Sequence, residues 1–167
     1  MMIENEMGIP AFRNEWQKAS IGIVFTYGLL YNGYEKFFKK HGLTSQQYNI
    51  LRILNDKHPE PVSTSYLREM MLDKMSDASR LVNRLSSKGL VDVSQNPSDK
   101  RLVNIVLSDK GVRTCQQVLQ DIHNLDAYLK GISEDEAKQL TDLLFKVRES
   151  IRDVEETNAQ KESQRNK

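Results

Sequence analysis

The chain is poor in the residues that build covalent or catalytic frameworks. Among its 167 residues there is a single cysteine, Cys115, so no internal disulfide can form. His41, His58 and His123 do not fall at a metal-ligand spacing, and neither a metal nor a cofactor is expected. No Ser/His/Asp set, glycine-rich phosphate cradle or convergent carboxylate pair occurs at useful spacing, which argues against an enzyme. Long apolar runs are missing too. The longest apolar neighbourhood, residues 21–31, is about half of what a bilayer-spanning helix requires, and Thr26 and Gly28 interrupt it. The opening ten residues carry acids and lack an apolar stretch, so no secretory leader and no membrane partner are expected. A reducing cytoplasm is the expected compartment.

An excess of charge is also missing, since 24 Lys and Arg face 23 Asp and Glu. The distribution is uneven. Residues 74–113 hold eight cations and four anions, a net of +4, which leaves −3 for the rest of the chain. A basic patch inside a neutral chain is the footprint that phosphate binding needs, although a merely solvated face gives the same count. The length suits one domain with a real core.

Helical periodicity dominates. From Phe12 to Lys40, aromatic and aliphatic residues lie at nearly every angle around a helix, so covering them calls for a second subunit. Gly42 is placed to cap this helix. Thr44 and Gln47 have capping-box spacing ahead of Tyr48, Ile50, Leu51, Ile53 and Leu54, which predicts a second helix. After the proline-punctuated segment 57–61, Ser63 can cap a short third helix with Leu67, Met70 and Met71 on one side. Ala78, Leu81, Val82 and Leu85 then form an apolar face at i, i+3, i+4 and i+7, while Ser76, Asp77, Arg80, Asn83 and Arg84 share the opposite one.

Gly89 stops that helix. Residues 90–94 and 102–107 read as two strands joined by a turn with an Asn-Pro signal and the cations Lys100 and Arg101. Ser108 opens a long helix reaching Gly131, and Ser133 with Glu136 forms a second capping box. The last helix carries Ala137, Leu140, Leu144, Val147, Ile151 and Val154 at alternating spacings of 3 and 4, a coiled-coil seam. Beyond Glu156 the chain is too polar to pack, and a frayed tail over 157–167 is expected.

The predicted fold is therefore mainly α with a small antiparallel β-hairpin. Two short helices followed by a two-stranded wing make a winged helix-turn-helix, whose second short helix enters the major groove of DNA. Three segments, residues 43–54, 79–91 and 96–111, resemble the MarR family of bacterial transcription regulators. The last resembles the family's D-x-R wing tip and its Leu-Thr-x-x-Gly lead into the next helix. The match covers roughly residues 12–155. It implies a single domain over residues 1–167, with dimerisation helices over 12–40 and 108–156 and a DNA-binding head over 44–107. The partners implied are double-stranded DNA with a palindromic operator, a second copy of the chain, and an effector. The resemblance points to a ligand-responsive repressor.

Carried over residue by residue, Ser76, Asp77, Ser79 and Arg80 match the first half of the recognition helix, and Asn83 shares its polar face. Arg84 matches a basic position that either contacts the DNA backbone or pairs locally with Asp77, Asp99 or a helix end. Asp99 and Arg101 match the wing motif, with the carboxylate expected to orient the guanidinium, and Lys100 lies between them. Val93 and Ser94 stand where many relatives carry Arg, and residues 72–75 replace a Gly-containing turn. Val93, Ser94 and Asp77 favour the alternative of a winged-helix protein-interaction module without DNA binding; Arg80, Lys100 and Arg101 oppose it. Tyr27, Tyr31, Tyr34 and Tyr48 either line a cavity for a small aromatic or amphipathic molecule or are simple core. Met70, Met71 and Met75 read as packing residues first. Cys115, on the apolar stripe of its helix, reads as a buried, inert thiol.

Overall fold

The computed structural model describes Glu6 and residues 8–165. Positions 1–5 and 7 of the acidic opening segment, and 166–167 of the expected tail, lie outside the described residues. The chain divides into two compact units at Leu125/Asp126.

In the first unit, α1 (Glu15–Lys40) starts where the Asn14 side chain accepts from the Gln17 N–H. It ends as its sequence requires. Gly42, at φ 69°, donates to Lys39 O, and Leu43 N donates to Phe38 O, each at 3.0 Å, so two last-turn carbonyls are satisfied. Helix α2 (Ser45–Lys57) opens on the complete Thr44/Gln47 capping box. Its Ile50, Leu51, Ile53 and Leu54 form the middle of the core, packed against α1, α5 (Asp109–Asp121), and the elements between. Helix α3 (Thr64–Met70) is capped by the Ser63 hydroxyl.

Helix α4 (Ala78–Ser87) buries Ala78, Leu81, Val82 and Leu85 and leaves Ser79, Arg80, Asn83 and Arg84 exposed. Gly89, at φ 69°, repeats the capping arrangement seen at Gly42. Strands β1 (Val91–Gln95) and β2 (Val103–Leu107) pair antiparallel, with Val93 opposite Ile105. The other edge of β2 holds Val62, which exchanges two backbone hydrogen bonds with Ile105 at 2.9 and 3.0 Å. This ties the proline-rich connection to the wing.

Four expectations are corrected here. Met70 and Met71 do not share a face: Met71 leaves the helix in an extended conformation and is buried, whereas Met70 is exposed. Met75, 94% exposed, is not a packing residue at all. The long helix from Ser108 stays α-helical only to Asp121, then tightens into a 3-10 segment over Ile122–Tyr128. His123, Asn124 and Asp126 crowd there, residue types with low helix propensity. Finally, the supposed tail is helical, because α6 runs Glu134–Arg165. Residues 159–165 include Ala, Gln, Lys, Glu and Arg, strong helix formers that extend a helix without burying anything.

Helix α6 belongs to the second unit, and its Ser133/Glu136 capping box is complete. None of its residues is buried.

Candidate nucleic-acid interface

Eight cations fall between residues 74 and 113, but the fold uses three of them internally. Lys88 Nζ donates to Gly42 O at 2.7 Å and to Gln47 Oε1 at 2.9 Å, fastening the end of α4 to the α1–α2 corner. Lys110 Nζ donates to Lys88 O at 2.7 Å, placing a positive charge at the carbonyl end of α4. Lys74 donates to Glu69 O. By contrast, Arg80 and Arg84 on α4 and Lys100 and Arg101 on the wing are exposed, and none has an ion-pair partner among the described residues. Arg84 is therefore not engaged with Asp77, Asp99 or a helix end.

The start of α4 differs from the sequence reading. Asp77 is the N-cap, its carboxylate accepting from Arg80 N at 3.0 Å, and Ser76 lies outside the helix. The Ser76 hydroxyl donates to Asp73 Oδ2 at 2.6 Å and accepts from Gln46 Nε2 at 2.8 Å. Gln46 also donates to Asp73 Oδ2 at 3.0 Å, and Asp73 Oδ1 accepts from Met75 N at 3.0 Å. Bonds from Ser76, then Met75, then Gln46 hold the Asp73 carboxyl below its ordinary pKa and keep it ionised. Asp73 thus makes the turn without glycine. Asn49 Oδ1 completes the attachment by accepting from Leu72 N at 3.0 Å.

At the wing, the Asp99 carboxylate accepts from the backbone N–H of Arg101 at 2.9 Å; it does not hold the guanidinium. An amide two residues along is the nearest donor in so tight a turn. Asn96 Oδ1 accepts from Ser98 N and Asp99 N, and its amide donates to Asn104 at 3.0 Å. The backbone is fixed while the Lys100 and Arg101 side chains stay in solvent.

A cavity of about 390 Å³ opens between α1 and the turn before α4. Tyr27, Tyr31 and Tyr34 line one side, and Ser45, Gln46, Asn49, Met71, Leu72, Asp73 and Lys74 complete it. Tyr48 does not line it. That ring is in the core, stacked on Phe38 at 4.5 Å. Gln46 and Asp73 also line a smaller cleft with Arg80, so one hydrogen-bonded pair separates the cavity from the outward face of α4. Neither residue stands out in the sequence; the available signal is a pair of amides, Gln46 and Asn49, three apart in the first two turns of α2.

The chain matches the family model for the MarR family over residues 41–102. It is 35% identical over 112 residues to the HTH-type transcriptional regulator MgrA of Staphylococcus aureus, covering 67% of this chain and 74% of MgrA. In fold it is similar to a MarR mutant from E. coli solved with operator DNA, with a TM-score of 0.69, 24% identity, and coverage of 88% and 99%. It is also similar to the organohalide-sensing regulator RdhR in its 2,4-dichlorophenol-bound form, with a TM-score of 0.74, 20% identity, and coverage of 82% and 81%.

Proposed function

The chain belongs to the MarR family of DNA-binding transcription regulators, and from that premise we propose that it acts as a homodimeric repressor on a palindromic operator, released by a small molecule. The observation that carries the DNA-binding part is the set of four cations, Arg80, Arg84, Lys100 and Arg101, left unpaired on the outward face of α4 and the tip of the wing. Arg80 and Ser79 read base edges in the major groove, with Asn83 and Arg84 beside them. Lys100 and Arg101 neutralise the neighbouring backbone. Asp77, Ser76 and Asp99 act indirectly by shaping the backbone that presents these groups.

Dimerisation through α1 and the segment 108–156 supplies the second head. The two recognition helices must then lie roughly 34 to 36 Å apart to enter successive major grooves. Occupying the operator excludes polymerase. Effector control is supported by the cavity: anything that fills it meets Gln46 and Asp73, and through Ser76 the turn that sets α4. Differential affinity for the two arrangements of that turn would couple effector to DNA. The single buried thiol suits a reducing cytoplasm, and among the described residues no helix is long and apolar enough to cross a membrane.

Selection of bound fragments from the source genome, followed by titration at several salt concentrations, tests the reading. With about four phosphates neutralised per head, the log-log salt slope is expected near −7. Equal affinity for every fragment, or a slope near zero, would refute it.

A further inference from the structure

The cavity carries information about the charge of what enters it. Tyr27, Tyr31 and Tyr34 project from successive turns of α1, with the first two ring centroids 5.8 Å apart. Aromatic faces are negative and attract cations. The ionised Asp73 carboxylate lines the cavity with them. A second carboxylate, Glu35, lies behind that lining, accepting from Ser45 N at 2.7 Å. Burial, followed by the negative field of Glu35, pushes the Tyr31 phenol above its ordinary pKa. Among the described residues the lining contains one cation, Lys74, and its ammonium is turned to the Glu69 carbonyl. Ser45 Oγ, buried and without a hydrogen-bond partner among the described residues, can serve a ligand of either sign.

We propose that the tyrosine-lined cavity selects a compact organic cation, an aromatic quaternary ammonium, over an aromatic carboxylate of the same size. The inference rests on the effector reading above and adds the sign of the ligand's charge. Three tyrosine side chains and the Asp73 carboxylate line the space a cation would occupy. A carboxylate in the same place faces Asp73, with Glu35 behind the lining, and would have to draw Lys74 away from its carbonyl.

Calorimetric titration of the full chain with benzyltrimethylammonium chloride and, separately, sodium phenylacetate tests this, with the DNA affinity of each sample measured alongside. The cation is expected to bind at least about tenfold more tightly than the anion, from like-charge repulsion of one and cation–π attraction of the other. Asp73→Asn is expected to narrow that ratio. Because this change also touches the turn before α4, Tyr27→Leu serves as a second variant at a ring that is 60% exposed. It is expected to weaken the cation about two- to tenfold and leave the anion unchanged. Phenylacetate binding as tightly as the cation, or a cation affinity indifferent to both substitutions, would overturn the proposal. If phenylacetate alone binds and releases DNA, the charge assignment falls and the effector reading stands. If the cation binds with the stated preference and DNA affinity does not move, the charge assignment stands and the effector reading falls. If neither binds, both fall.

Discussion

Arg80 and Arg101 carry the same charge in different settings. Arg80 projects from the helix whose opposite face is anchored by Leu81, Val82 and Leu85, while Arg101 projects from a turn pinned by Asp99 and Asn96. Arg80→Ala is expected to reduce discrimination between operator and random DNA by about 1 to 3 kcal/mol per half-site, the worth of a bidentate base contact. Arg101→Ala should weaken both alike and lower the salt slope by about one per head. Competition titrations at two salt concentrations separate the two; equal losses on both DNAs for both variants would contradict this division. Cys115 shows how a side chain's surroundings decide its chemistry. It is 2% exposed, its Sγ faces Leu51 O at 3.8 Å, and burial pushes the thiol up to about 11 from an ordinary 9.0. Two pKa units leave roughly a hundredfold less thiolate at neutral pH. Alkylation in the native state should therefore be slow and become fast in denaturant. Peroxide should leave operator affinity the same in wild type and Cys115→Ser.

Gly111 shows why an element needs a particular residue. A Cβ added there would stand 2.1 Å from Leu90 O and 3.2 Å from Leu107 Cδ2, because the first turn of α5 crosses directly over the start of β1. Ala is favoured over Gly inside helices by about 1 kcal/mol. The collision is with backbone whose carbonyl already accepts from Ser108 N at 3.2 Å, so the helix itself must move. Gly111→Ala is expected to cost a net of about 1 to 3 kcal/mol, read as a lower urea midpoint with an unchanged slope. The caps at Thr44, Ser63, Ser108 and Ser133 were legible in sequence, because each depends on residues three apart. Lys88 was not. It looked like one more cation of a basic patch, and only the approach of the Gly42 carbonyl, 46 positions away, turns it into a structural tie. The Gln46–Asp73 pair, 27 positions apart, was hidden for the same reason.

Taken as one chain, the protein exposes more apolar surface than a solitary chain usually tolerates. Among the described residues, Trp16, 82% exposed, Val24 and Leu29 on α1, and Leu140, Val147, Ile151 and Val154 on α6 are exposed. A dimer is the expected state in sedimentation. Ile151→Glu should yield folded monomers, since Ile151 supports no core in the single chain. Operator affinity should then fall by about 10²- to 10⁴-fold as the heads lose their linkage. Unchanged sedimentation and affinity would place the interface elsewhere. Periodicity and turn chemistry, read along the chain, were enough for the order of elements, the winged helix-turn-helix and the outward face of α4, because those depend on neighbours three to seven positions apart. Which cations remain free, which tyrosines share a cavity and which leaves for the core, and where Asp99 spends its hydrogen bond were decided only when distant segments met. Burial and hydrogen-bond partners belong to pairs of residues in space, and a linear pattern does not contain them.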